Sequence, residues 1–301
     1  MSEARQLEAA PVVTLLSDFG LVDPFVGMMK GAMLQVNPDL RIVDLCHSVA
    51  PQNIRQAAFM LMTSFAYFPP GTIHVAVVDP SVGTGRNILA CQTERFFFLA
   101  PDNGLLGPVL EREPLRACVA VTNAEYFLPH VSQTFHGRDI FAPVAAHLSR
   151  GVPLSQLGPA ASPTGELHFP RPLAKDERTL SGEVLYSDRF GNLVTNLHED
   201  DIRQLAGEPQ ALEVRVGESI IPGLSASYAA ERPGILLAVV GSTGFLEVAL
   251  NLGSAREFLG LDVGGAVEVR RAPPRPHPKS PESPGPQRGP EPGRSQVPPA
   301  S

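Results

Sequence analysis

The chain has 301 residues, of which 43% are apolar and 18% charged, and its formal net charge is −7. This balance fits a globular protein large enough for two modest domains, and no apolar run approaches the roughly 18 to 20 residues of a membrane span. The acid excess, with no Lys/Arg cluster in the folded part, excludes nucleic acid and membrane surfaces as natural partners and leaves small ligands as the expectation.

The N-terminal MSEARQLEAAP lacks the basic and apolar regions of a secretory signal. Cys46, Cys91 and Cys118 are odd in number and far apart, which suits reduced thiols packed in a core. Both features make the cytoplasm the expected location.

VVTLLSDFG, residues 12–20, reads as a buried strand that ends in polar residues and glycine. Phe25, Met28, Met29, Met33 and Val36 follow at helical spacing, and Pro38 closes that helix. RIVDLCH predicts a second strand, IRQAAFMLMTSFAYFPP a second helix stopped by two prolines, and TIHVAVVD a third strand. Such strand-helix-strand units favour a parallel sheet. NILACQT and RFFFLAPD predict two further strands, and GRDIFAPVAAHLSRG a helix beginning after His136.

Residues 151–178 are rich in Pro, Ser and Gly without sustained periodicity and read as a linker. Beyond residue 179 the segments LSGEVLYSD, GNLVTNL, ALEVRVGES, GILLAVVGS, FLEVALN and AVEVRR alternate, with one short helical pattern at EDDIRQLAG. They predict a small, mostly antiparallel β domain. The expected organisation is an extension over 1–11, an α/β domain over 12–150, the linker, a β domain over 179–271, and a tail over 272–301. That tail holds 11 of the chain's 31 prolines and reads as disordered.

In an open parallel sheet, ligands gather beyond the carboxyl ends of the strands, which gives Asp18 in SDFG and Asp79 in VVDP first claim on chemistry. HVAVVDPSVGTGR brings Arg86 seven residues after Asp79, and its glycines lack the Lys-Ser or Lys-Thr of a phosphate loop. The D-F-G tripeptide of SDFG has no kinase companion motifs. QTFHGRDIFAP places His136 and Asp139 at a helix start. YSDRFGNLVTN offers an acceptor, a flat face and an amide in Asp188, Phe190 and Asn192, and Ser242 and Glu247 flank a later turn. Capping and turn roles are the competing reading for each acid. A metal site built from Asp18, Asp79, His136 and Asp139 lacks a recognised ligand spacing, so no metal is expected.

Taken in order, SDFG, VDLCH, VVDPSVGTGR, APDNGLL, TFHGRD, DRFGNLVTN and GSTGFLEVALN resemble the S-adenosylmethionine (SAM) hydrolases, also called SAM hydroxide adenosyltransferases. These are the hydrolytic branch of the superfamily that contains the SAM-dependent fluorinase and chlorinase. The resemblance spans roughly residues 12–271. It implies an N-terminal α/β sandwich with a mainly parallel sheet and a smaller, β-barrel-like C-terminal domain. It also implies a homotrimer with active sites between neighbouring subunits.

By motif, the resemblance puts the hydrolytic triad on Asp79, Arg86 and His136 and the ribose-binding acid on Asp18. Asp188 and Asn192 match positions that contact the methionine portion and the adenosine, with Phe190 as a packing face, and Ser242 and Glu247 match the last motif of the pocket. SAM is then the substrate, with no cofactor. The halogenases carry a tyrosine at the position of Asp79, and the fluorinase has a long insertion that is absent here; both departures favour water over halide. A SAM- or adenosine-binding sensor without turnover, or a SAM-dependent halogenase, is the alternative reading.

Overall fold

The computed structural model describes residues 11–205 and 212–272. The Pro-rich tail read above as disordered lies outside the described residues from 273 onward.

The first sheet takes its strands from β1 (Val12–Ser17), β2 (Arg41–Cys46), β3 (Ile73–Val77), β4 (Ile88–Gln92), β5 (Phe97–Pro101) and β6 (Ala117–Ala120), in the spatial order β2-β1-β3-β5-β4-β6. Contacts β2/β1, β1/β3 and β3/β5 are parallel, while β4 runs antiparallel to both neighbours. The sheet is therefore mainly parallel, as expected. Its central strands are near-continuous apolar runs because both faces are covered.

Period-two alternation divides those strands between two cores. Val13, Leu15, Ile73, Val75, Val77 and Leu99 face helices α1 (Phe25–Val36) and α4 (Ala142–Ser149). Leu16, Ala76, Phe98 and Ala100 face α2 (Ile54–Ser64) and the single turn α3 (Gly107–Leu110). Leu185, Val194 and Phe245 from the second unit join this latter core, so apolar packing is continuous between the two units.

Residues 151–178 contain more structure than a linker reading allows: the turn α5 (Leu154–Leu157) and strand β7 (Leu173–Asp176). The stretch is also tethered, since Asp102 accepts from the Thr164 amide at 2.8 Å, the Thr164 hydroxyl at 2.6 Å and the Gly165 amide at 2.9 Å.

β8 (Thr179–Ser187), β9 (Leu193–His198), β10 (Leu212–Val216), β11 (Ser219–Pro222), β12 (Leu236–Val240), β13 (Phe245–Leu250) and β14 (Ala266–Arg271) form an antiparallel sheet in the order β11-β10-β14-β8-β9-β13-β12, with β7 added on β8. Its ends β11 and β12 approach each other, which nearly closes a barrel. α6 (Glu199–Leu205) is the helix read from EDDIRQLAG. A second helix, α7 (Ala255–Leu259), was not expected; the Ser254 hydroxyl caps it by accepting from the Glu257 amide, and Gly260 ends it at φ +63°. Among the described residues no helix is long and apolar enough to cross a membrane.

Candidate active site

β1 and β3 end side by side, which brings Asp18 and Asp79 to one edge of the sheet. A cleft of about 360 Å³ opens there, lined by Asp18, Gln52, Asp79 and His136 on its polar side and by Phe19, Phe25 and Phe135 on its apolar side. These three rings pack edge to face, with centroids 5.4 to 6.0 Å apart.

Asp79 is held by Arg86. The guanidinium Nε lies 2.9 Å from Oδ1 and 2.8 Å from Oδ2, Nη2 also contacts Oδ2, and the two side chains are only 5% and 9% exposed. A buried pair survives when its hydrogen bonds are well made, and this one adds the Ser81 hydroxyl on Oδ1 at 3.2 Å. From the far side, Asn103 of APDNGLL donates its amide to the Val78 carbonyl at 2.9 Å, clamping the strand end that carries Asp79.

His136 comes from the other loop. Arg86 Nη2 lies 3.1 Å from its Nδ1. A guanidinium can only donate, so Nδ1 is the acceptor and the ring hydrogen sits on Nε2. Burial, and then the neighbouring Arg86 charge, push the His136 pKa below its ordinary value and keep the ring neutral near pH 7. The residue leads into a wide π-type turn, Gly137–Phe141, that runs straight into α4. Asp139, read above as a possible site residue, is fully buried; its carboxylate accepts from the Ser132 amide at 2.8 Å and from Arg138 Nε at 2.6 Å. It anchors the loop and does not line the cleft.

The loops bearing Arg86 and His136 touch. Gly83, at φ +77°, sits so close to the Gln133 carbonyl that a β-carbon there would lie 2.4 Å from the oxygen.

The C-terminal candidates lie elsewhere on the chain. Asp188, Phe190 and Asn192 line a second cleft of about 510 Å³ with Tyr228, Leu250, Asn251 and Leu252. Asp188 organises its own turn, accepting from the Phe190 amide, the Asn192 amide and the Asn192 side chain, each at 2.9 Å. This geometry turns Phe190 outward, 76% exposed. Glu247 is buried and accepts from the Tyr228 hydroxyl at 2.5 Å; burial, with Asp188 nearby, raises its pKa against the lowering effect of that bond. Ser242 is not brought to this cleft. It sits on the β12–β13 turn, beside a separate crevice that includes Tyr67, Arg95 and Arg112. Tyr228 and Gln52, which line the clefts, escaped sequence reading because neither sits in a quoted motif.

A barrel-like β unit behind an α/β sheet with an Asp-Arg-His cluster at its strand ends defines a particular class, and comparison with known proteins gives it a name. The profile of the SAM hydroxide adenosyltransferase N-terminal domain matches residues 13–158, and that of the C-terminal domain matches residues 182–268. The chain belongs to this family.

It is 37% identical over 261 residues to the (R)-S-adenosyl-L-methionine hydrolase of Salinispora tropica, covering 86% of this chain and 97% of that one. With the hydrolase of the same name from Thermus thermophilus it shares 38% identity over 264 residues, covering 85% and 98%. Fluorinases are more distant, that of Nocardia brasiliensis at 29%. A crystal structure of an uncharacterised conserved protein from Thermotoga maritima superposes with a TM-score of 0.81 at 36% identity, covering 86% of this chain and all of that one.

Proposed function

We propose that the protein hydrolyses SAM to adenosine and L-methionine. The supporting observation is the Asp79–Arg86–His136 cluster on the wall of the cleft that also presents Asp18. The sulfonium is already a competent leaving group, so the site has only to hold water in line behind C5′ and take its proton. Oxygen attacks C5′, the C5′–S bonding pair passes to sulfur and cancels its charge, and the water proton leaves to Asp79 and then solvent.

The geometry divides the work more finely than the motifs suggest. Asp79 has acceptor capacity beyond Arg86, whereas His136 has spent Nδ1 on Arg86 and offers Nε2–H as a donor that orients the water. Arg86 offsets the negative charge as hydroxide character develops. Asp18 takes the ribose hydroxyls. No phosphate or carbonyl needs polarising, so no metal or cofactor is required.

The second cleft completes the site from a neighbouring copy. Phe190 and Tyr228 present flat faces to the adenosine, while Asp188 and Asn192, with Glu247 behind Tyr228, serve its polar groups and the methionine end; Ser242, beside another crevice, takes no part. Exposed apolar residues beside both clefts, Leu21 and Val22 near the first and Leu252 near the second, suit burial between subunits of a homotrimer.

Turnover in heavy-oxygen water tests the reading. The label is expected in the 5′-hydroxyl of adenosine, with no loss of rate in EDTA. Label in the methionine, release of methylthioadenosine, or 5′-chloroadenosine formed in chloride would overturn it.

A further inference from the structure

Behind the cleft, a second chain of polar side chains runs from the surface to the backbone of the SDFG turn. Lys30 Nζ donates to Asp44 Oδ2 at 2.6 Å, and Asp44 Oδ1 lies 3.0 Å from His47 Nε2. His47 Nδ1 lies 2.7 Å from Ser17 Oγ, which accepts from the Phe19 amide at 3.4 Å. Ser17 and His47 are 1% and 4% exposed.

Lys30 and the His47 contact hold Asp44 below its ordinary pKa despite the opposing effect of burial, so it accepts and His47 Nε2 donates. With Nε2 as the donor, Nδ1 is the ring position that meets the Ser17 hydroxyl, whose oxygen takes the Phe19 amide. The order Ser, His, Asp is that of a hydrolase triad. Ser17 is no nucleophile, because its hydroxyl is buried and it does not line the cleft, whereas Asp18 does.

His47 grips the same turn a second time through its carbonyl, which accepts from the Gly20 amide at 2.7 Å. Five residues on, the Gln52 amide donates to Asp18 Oδ2 at 2.8 Å. It does so from φ +65°, a left-handed conformation unfavourable to a residue with a β-carbon. Residues 47–52 thus clasp residues 17–20 at three points. Each Asp18 oxygen keeps acceptor capacity, and the Gln52 amide fixes one of them toward residues 47–52.

We infer that His47 is a positioning residue for recognition of two vicinal hydroxyls, acting through Ser17 and Gly20 on the aim of Asp18. The inference rests on the reading of Asp18 as the ribose acid. It assigns a role to the VDLCH motif and to a Ser-His-Asp chain, buried at Ser17 and His47, that the hydrolytic step leaves unused.

The test is a double-mutant cycle read by calorimetry on the full chain, with adenosine and 2′,3′-dideoxyadenosine as probes. His47→Phe should weaken adenosine about tenfold and leave dideoxyadenosine within roughly twofold. In an Asp18→Ala background the same change should do nothing further. His47→Asn, which keeps an acceptor near the Nδ1 position, should recover most of the loss. With SAM, the KM should rise while kcat stays within about threefold. Equal weakening of both nucleosides, or additive losses in the cycle, would overturn the assignment.

Hydrogen exchange on the ligand-free protein provides an independent arm: the Phe19 and Gly20 amides should exchange about tenfold faster in His47→Phe. Unchanged exchange removes the clasp. A wild type that binds both nucleosides equally would instead refute the ribose role of Asp18, and exchange then decides on the clasp alone.

Discussion

Two turns in this molecule are built on an aspartate that follows a strand, and they use it in opposite ways. Asp188 spends its carboxylate on three N–H groups of its own turn, two of them backbone amides. Asp79 is held by a side chain from seven residues away, which in turn reaches His136 fifty residues further on. Backbone partners fix a loop shape. Side-chain partners fix a charge at the wall of a cleft, so on the function proposed above the difference separates an acid whose first task is the shape of its turn from one placed beside the attacking water.

The largest expected effect breaks this contrast from the chemical side. Asp79→Asn preserves shape and removes the proton acceptor, so steady-state kcat on SAM should fall about 10²- to 10⁴-fold while SAM binding by calorimetry persists. Wild-type turnover in that variant would reduce Asp79 to a turn residue. Asp188→Ala attacks the other side. It strips three donors of their acceptor, and denaturant unfolding should show a loss of about 1 to 3 kcal/mol with a raised KM.

Two histidines sharpen the same distinction. His74 is fully buried, bonded at Nδ1 to the Thr14 hydroxyl and stacked on Phe98, with Nε2 unpartnered, and burial pushes its pKa down to about 3. The unfolded chain therefore binds a proton that the folded one refuses. Stability should fall by about 1.4 kcal/mol per pH unit as pH drops below the ordinary histidine value, and His74→Gln should flatten that slope in urea titrations. His136 gives the smallest effect. With its pKa lowered, the ring stays neutral to below pH 6.5, so the acid limb of kcat/KM should lie under that value. A limb above it would show that the Arg86 contact is absent in solution.

Much of the fold was legible because period and punctuation agreed. β1, β2 and β3 end in polar residues or proline, and α1 and α2 carry helical stripes closed by proline. β6 was missed because ACVA is four residues with no boundary signal, and β7 because LAKD is exposed throughout and carries no apolar alternation. Of the site, the strand-end acids followed from topology, while the partnership of Arg86 and His136 came from resemblance. Gln52 and Tyr228 stayed dark. The first contributes a main-chain amide in an unusual conformation, and the second meets Glu247 only through the barrel's closure, neither of which residue type reveals. Ser242 shares a motif with Glu247 yet points to another crevice, because a strand carries neighbouring positions apart.

The contact at Gly83 makes the proposed hydrolytic centre sensitive to the smallest change the genetic code can make there. A single added methyl group four residues from Asp79, its nearest contacts all on Gln133, would wedge the Arg86 loop off the Gln133 carbonyl and lengthen the hydrogen bond that sets the His136 tautomer. Tolerance to mutation in this protein is therefore not graded by distance from the reacting atoms. It is graded by whether a position keeps two loops at one spacing, and at Gly83 the spacer is the absence of a side chain.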